Sequence, residues 1–285
     1  MTSGMTPALS VIIPACNEAL YIDACLRAVL ASEMASDNGL ALQVIVSANG
    51  CTDDTATRAR AHAPGFAARG WALEVLELPG LGKPGALDAG DAAARHPNRA
   101  YLDADVTVSV PLLSQIAQVL ESPEPRYASG HPVVAPARSA VTRAYARFWV
   151  QLPFVAQGVP GFGLYAVNAA GRARWGTFPK IISDDTFVRL SFSPAERLLV
   201  SARYEWPMVE GFAPLVRVRR RQDQGVREIA QAFPHLLINA EDTKPPKRRL
   251  LALAMRDPLA FATYAAVSLA VRAGWRGQSG WVRGR

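Results

Sequence analysis

The sequence predicts an α/β fold: a mostly parallel central sheet flanked by helices, followed by a helical C-terminal tail. Three observations carry this. Through the first 120 residues, short apolar runs ended by turn residues alternate with stretches of helical periodicity, the pattern of a parallel sheet with helices packed on it. Half of the 285 residues are hydrophobic and 19% are charged, so there is ample material for a core and no mark of disorder. From about residue 224 the pattern is helical, broken only by Pro234, Pro245, Pro246 and Pro258.

Residues 9–13 form an apolar run ended by Pro14, which reads as a buried strand. Asn17 has the side chain to cap the next helix, with Glu18 in its first turn. Leu20, Tyr21, Ala24, Cys25, Ala28 and Val29 then recur at helical spacing. Residues 42–48 are a second strand, Asn49-Gly50 is a turn, and Thr52 or Asp53 starts a helix through residues 57–63. Residues 71–78 are a third strand. A loop with Gly80, Gly82 and Gly85 leads to a helix over 86–94, and residues 100–102 make a fourth strand that ends at Asp103. Ser109-Val110-Pro111 opens another helix, proline suiting a first turn. Beyond residue 120 the alternation weakens. The expectations there are a strand over 127–134, a helix over 141–154 and a glycine-rich stretch over 158–163. A short helix capped by Ser183 and carrying Asp184, Asp185 and Phe187 follows, then a strand over 198–201.

Composition narrows the function. With 31 Lys and Arg against 24 Asp and Glu, the formal charge is +7, which favours anionic partners such as phosphates, nucleotides or an acidic membrane surface. The basic residues cluster at Arg217, Arg219, Arg220 and Arg221, and again at Lys244, Lys247, Arg248 and Arg249. No aromatic interleaving accompanies them, so nucleic-acid binding is not expected. Cys16, Cys25 and Cys51 match no metal-site spacing and fit a reducing cytoplasm. The first residues lack the basic start and apolar run of a signal peptide. No apolar stretch approaches the roughly 18 residues of a spanning helix. Residues 259–271, short and alanine-rich, read as a packed helix, with a helix lying on a membrane surface as the alternative.

Ligands of parallel sheets bind beyond the carboxyl ends of the strands. Asn17-Glu18, Asn49 to Asp54, the glycine loop and Asp103-Ala104-Asp105 follow strands one to four in turn. Four consecutive polar strand ends imply one shared site. Two carboxylates one residue apart, where a strand breaks into a loop, suit a hard divalent cation that also takes phosphate oxygens.

Together these segments resemble glycosyltransferase family 2, which has the GT-A fold. The likeness rests on Val11-Ile-Ile-Pro-Ala-Cys-Asn-Glu18, Val44-Ile-Val-Ser-Ala-Asn-Gly-Cys-Thr-Asp-Asp-Thr55, Gly82-Lys-Pro-Gly-Ala-Leu-Asp-Ala-Gly90 and Tyr101-Leu-Asp-Ala-Asp105. Ile182-Ser-Asp-Asp-Thr186 is similar to the family's acidic segment, and Arg219-Arg-Arg-Gln222 to a divergent form of its late arginine-and-glutamine motif. The resemblance implies a metal-dependent, inverting transfer of a sugar from a nucleoside-diphosphate sugar to a glycan, lipid or other hydroxyl acceptor. It implies that Pro14, Asn17 and Glu18 line the nucleotide pocket, that Asn49 and Asp53 sit beside base and ribose, and that Lys83 helps hold the nucleotide. Asp103 would face ribose or metal and Asp105 would bind the metal, Mn or Mg. Asp185 matches the base, with Asp184 in the neighbouring role. Arg220 and Gln222 would steady the diphosphate. The family often has paired acidic residues where this chain has Ala48-Asn49, and asparagine where Asp88 stands.

The implied organisation is a transferase domain over 1–225, its donor half about 9–105 and its acceptor half about 106–225, with a helical extension over 226–285. The location implied is cytoplasmic, with peripheral contact to the inner membrane face through the tail. The rival reading is an NAD-dependent oxidoreductase. Gly80, Gly82 and Gly85 fit a dinucleotide-binding loop and Asp103 lies near the spacing of a ribose-binding acid. Against it, Pro84 removes an amide where that motif needs one.

Overall fold

The computed structural model describes residues 6–33, 39–156, 158–241 and 245–274. Lys244 and the end of the tail, 275–285, lie outside the described residues. The chain divides into two compact units: residues 1–133, 161–180 and 184–206 form the first, and residues 134–160, 181–183 and 207–285 the second.

The first unit opens with β1 (Ala8–Ala15), α1 (Ile22–Leu30), β2 (Ala41–Asn49), α2 (Thr55–Ala61), α3 (Ala63–Ala68), β3 (Ala72–Leu78), α4 (Gly82–Ala93) and β4 (Arg99–Leu102). Then come β5 (Thr107–Val108), α5 (Leu112–Leu120) and β6 (Tyr127–Val134). The chain next passes through α6 (Ala140–Trp149) and α7 (Pro153–Ala156) of the second unit. It returns with β7 (Leu164–Val167), α8 (Ala169–Arg172), α9 (Asp184–Leu190) and β8 (Arg197–Trp206). Among the described residues the strands form one sheet in the order β3-β2-β1-β4-β7-β6-β8-β5. β3, β2, β1 and β4 run parallel; β4–β7, β7–β6 and β5–β8 pair antiparallel.

The burial pattern explains this split. Leu9, Val11, Ile12 and Ile13 of β1 are wholly buried, as a parallel strand covered on both faces requires. β8 instead alternates, with Val200, Ala202 and Tyr204 inward and Ser201, Arg203 and Glu205 exposed, the period of an antiparallel strand with one wet face. α1 buries Ile22, Cys25, Leu26 and Val29, one stripe of a helix.

Several local expectations are corrected. Asn17 does not cap α1: its φ is +55°, and its side-chain oxygen accepts from the Thr52 amide at 2.7 Å. The helix starts at Ile22 instead. The helix after the glycine loop begins at Gly82, not residue 86, because Pro84 fits a first turn. The helix expected over 141–154 is two, α6 and α7, separated before Pro153. The strand expected over 198–201 is ten residues long. β5 and β7 had no counterpart among the expectations.

The second unit also holds α10 (Phe212–Ala232), a 3-10 segment at Pro234–Asn239, α11 (Lys247–Arg256) and α12 (Pro258–Arg272). α10 starts well before residue 224, so Arg219, Arg220 and Gln222 are helical and residue 225 falls inside α10. Tyr264 of α12 packs its ring 4.7 Å from Phe148 and 5.4 Å from Tyr145 of α6. Gly225 admits a close approach in mid-helix, since a Cβ there would lie 2.1 Å from Ser183 Oγ.

Candidate active site

The strand order creates the crevice. The chain steps from β1 outward through β2 and β3, then returns to β4 on the other side of β1. At such a reversal the connections leave in opposite directions and expose the strand ends between them. Pro14 stands at the end of β1 and Asp103 just past β4. α4 lies tightly against β1 because its Gly90 has no side chain; a Cβ there would sit 2.4 Å from Ile12 Cγ2. That approach brings the first turn of α4, with Lys83, over the crevice.

Lys83 Nζ lies 3.0 Å from Asp103 Oδ1 and 3.1 Å from Asp184 Oδ1. Burial pulls its pKa down, but the charges of Asp103, Asp184 and Asp185 outweigh this and raise it. The stem of Lys83 keeps some exposure while its ammonium ends among carboxylates. Asp184 is buried and also accepts from the Tyr165 hydroxyl at 3.2 Å. Asp185 is half-buried and accepts from the Thr186 amide at 2.7 Å. Desolvation first, and the negative charge of Asp184 second, push its carboxyl up to about 6, against the pull of Lys83 and the Thr186 amide. Pro14, Lys83, Asp103, Tyr165, Asp184 and Asp185 line one pocket. A larger hollow, about 370 Å³, is lined by Pro97, Asn98, Glu121, Ser122 and their neighbours. It opens before β4 rather than after it, and its carboxylate, Glu121, accepts from Asn98.

The Asp103–Asp105 turn is fastened from both sides. The Asp103 amide donates to the Gly163 carbonyl at 2.9 Å, and the Val106 amide to the Asp103 carbonyl at 3.1 Å. Gly163 has φ +77°, and a Cβ would meet Val106 and Trp206 below 3 Å. The nearby Cys25 thiol is pushed up by burial and then by the charges of Asp105, Asp103 and Glu18, so three carboxylates share this neighbourhood. Asp103 and Asp105 offer the hard oxygen donors that suit Mg or Mn. Among the described residues no group of three or more His, Cys, Asp or Glu side chains is placed to hold a metal ion.

The remaining expected residues divide. Asn17, Glu18, Asn49 and Asp53 come together at the same end of the sheet, where they knit the loops to one another. The Glu18 amide donates to Thr55 Oγ1 at 2.7 Å, and Asp53 accepts from the Ala19 and Thr55 amides at 3.2 and 3.0 Å. Burial pushes the Asp53 carboxyl up, but the Thr55 hydroxyl and then the Thr55 and Ala19 amides outweigh this and hold it below its usual range. Asn49 accepts from the Leu81 amide at 2.7 Å and donates to the Gly82 carbonyl at 2.9 Å. The glycine loop thus spends backbone groups on Asn49, and its Leu81 amide is not open to a pyrophosphate; the oxidoreductase reading is not favoured. Arg220 and Gln222 belong to the second unit, half-buried and exposed on α10. Phe178 is core, edge-on to Tyr101 at 5.3 Å.

Sequence reasoning missed two features. Tyr165, just beyond the glycine-rich stretch, has a hydroxyl that reaches Asp184. Behind it, Tyr101 stacks on Tyr165 at 4.9 Å and donates to Asp91, which Arg172 also binds at 2.6 Å. The short apolar run Leu164–Val167, wholly buried and paired with Arg99–Leu102, was the available signal.

Known proteins show the family and the fold. The sequence model described as glycosyl transferase family 2 matches residues 10–173, more than half of the chain. No curated protein matches the sequence. Solved structures share the fold. The mannosyltransferase PcManGT from Pyrobaculum calidifontis, in complex with GDP-Man and Mn2+, aligns over 97% of this chain and 77% of its own, with TM-score 0.56 and 21% identity. S. aureus TarS 1–349 with UDP-GlcNAc aligns over 98% and 95%, TM-score 0.50, 13% identity. Glucosyl-3-phosphoglycerate synthase from Mycobacterium tuberculosis, with Mn2+, UDP-glucose and glycerol 3-phosphate, aligns over 80% of each chain, TM-score 0.50, 21% identity. The expected α/β architecture of the GT-A type is thereby met, and the chain belongs to glycosyl transferase family 2 and is a glycosyltransferase.

Proposed function

We propose that this glycosyltransferase is inverting and divalent-metal-dependent, takes its sugar from a nucleoside diphosphate and uses Asp185 as its base. The observation that supports this most is the division of labour between two adjacent aspartates. Asp184 is buried and paired with Lys83 and Tyr165. Asp185 faces the same pocket with a carboxyl pushed up to about 6, a proton affinity matched to accepting a proton near neutral pH.

In this reading the acceptor hydroxyl forms its bond to the anomeric carbon while Asp185 takes the hydroxyl proton. The bond from the anomeric carbon to the diphosphate oxygen breaks with its electrons, so one displacement inverts the centre. Lys83, at the start of α4, meets the diphosphate with its ammonium, where the helix dipole also favours negative charge. Asp103 and Asp105 would hold Mn or Mg, which when bound neutralises charge on the leaving diphosphate. Pro14, Asn17, Glu18, Asn49 and Asp53 would border base and ribose, and Arg220 and Gln222 would reach the diphosphate. The donor half is residues 9–105, the acceptor half 106–225, and 226–285 an extension. The GDP-Man and UDP-sugar complexes of the similar structures, two of them with Mn2+, favour this donor class. The acceptor is a glycan or lipid-linked hydroxyl compound, met at the cytoplasmic side of a membrane.

The test is a thermal-shift series with UDP, GDP, dTDP and NAD, each with and without Mn²⁺. A ligand that binds only the folded state raises its melting temperature. Stabilisation by one nucleoside diphosphate that needs Mn²⁺ and disappears in Asp105→Ala is the expected result. Stabilisation by NAD alone, indifferent to metal, would overturn the proposal.

A further inference from the structure

We infer that the outward face of α11 docks the protein onto an anionic lipid bilayer. α11 is held within the second unit by its inner edge, where Leu250, Leu253 and Ala254 are half-buried and Arg249 donates to the Gln151 carbonyl at 3.2 Å. Its opposite face is uncovered: Leu251 is 62% exposed and Met255, one turn on, 71%; Leu259, at the start of α12, is 66% exposed. Leu251 and Met255, four residues apart on one helix, share a face, and Leu259 adds a third exposed apolar side chain just past the break between the helices. Lys247, Arg248 and Arg256 are exposed beside it.

Charge selects the occupant. Residues 241–274 carry six cations, Lys244, Lys247, Arg248, Arg249, Arg256 and Arg272, against three anions, Glu241, Asp242 and Asp257. The Asp257 carboxylate is already engaged by Arg147 at 2.7 Å and by the Ala260 amide at 3.0 Å. An apolar face flanked by cations in excess of the local acids fits the boundary between acyl chains and anionic headgroups. A second copy of this chain would set like charges against each other. This face also lacks the aromatic anchors usual in protein interfaces. No helix among the described residues is long and apolar enough to cross a membrane, so the contact is interfacial. The inference stands apart from the transferase reading, because vesicle binding is measured without turnover.

The experiment is co-sedimentation of the full chain with phosphatidylcholine vesicles, with and without phosphatidylglycerol. The protein is expected to sediment with the anionic vesicles only, and to be released by salt. Leu251→Glu with Met255→Glu should abolish sedimentation. Replacing Lys247, Arg248 and Arg256 by Gln should lower the partition coefficient about 100-fold, three cations each contributing their usual share. All these positions are exposed, so melting temperature and nucleotide-induced stabilisation should be unchanged. Wild-type protein left in the supernatant with anionic vesicles would overturn the inference. So would sedimentation that ignores the glutamate variant, or a dimer in sedimentation velocity that this variant dissociates.

Discussion

The two units solve the packing problem differently, and only one of them writes its solution plainly in the sequence. In the first, the parallel strands β1 and β2 are apolar along most of their length and lead into polar residues, Asn17-Glu18 shortly after β1 and Asn49 at the end of β2. Burial and chemistry therefore occupy separate positions: the strand bodies make the core, and the strand ends make the crevice. In the second, helices meet through large rings and small residues. Tyr145, Phe148, Phe261 and Tyr264 interlock, and Gly225 lets Ser183 approach α10. Charged residues there serve packing too: Arg219 sits beside Tyr264 and Asp223. A site built on strand ends keeps its charges off the strand bodies, so a charge change there acts on the local pairing, such as Lys83 with Asp184, rather than on the packed core. A unit built on close approach cannot change volume without strain.

Substitutions can break or sharpen that contrast. The largest effect is expected from Asp185→Asn, which removes the base but no packing: turnover should fall about 10²–10⁴-fold, while nucleotide-induced stabilisation persists. Lys83→Met leaves Asp184 buried with only Tyr165 as partner. Thermal unfolding should show a loss of about 2 kcal/mol, less than a fully buried pair would cost because part of Lys83 is exposed. Gly225→Val drives a side chain into Ser183 and should cost about 1–3 kcal/mol, lowering the melting temperature. Tyr165→Phe removes one hydrogen bond to a buried carboxylate and should cost about 1 kcal/mol, read in the same melts. Arg147→Ala cuts the exposed pair with Asp257 and should leave the melting temperature unchanged.

How much was legible follows from the same contrast. β1, β2 and β4 were readable because they are buried nearly throughout and stand out as mostly apolar runs; β3, half-buried and carrying Glu74 and Glu77, was readable from its alternation with the flanking helices. β8 was only partly readable: its period-two alternation runs on through Arg203 and Glu205, and charged residues on the wet face disguised it. β5, with two residues, and β7, with four, owe their existence to partners distant in sequence. Asn17 shows how tertiary contact overrides local preference, since Thr52 claims the side chain that would otherwise cap a helix. The paired aspartates were visible as a motif, but their separation into a paired and a raised carboxyl depends on Lys83, about one hundred residues away in sequence. No periodicity carries that information.

The most direct measurement is the pH dependence of kcat/KM for the wild type and for Asp184→Asn. A base must be ionised to act, and desolvation and the Asp184 charge raise the carboxyl of Asp185 to about 6. Activity should therefore hold above that pH and fall about tenfold per unit below it. Removing the Asp184 charge should move this limb to lower pH. Activity that stays level down to the ordinary carboxylate range, about 4, or a limb that Asp184→Asn does not move, would contradict the assignment of Asp185 as the base.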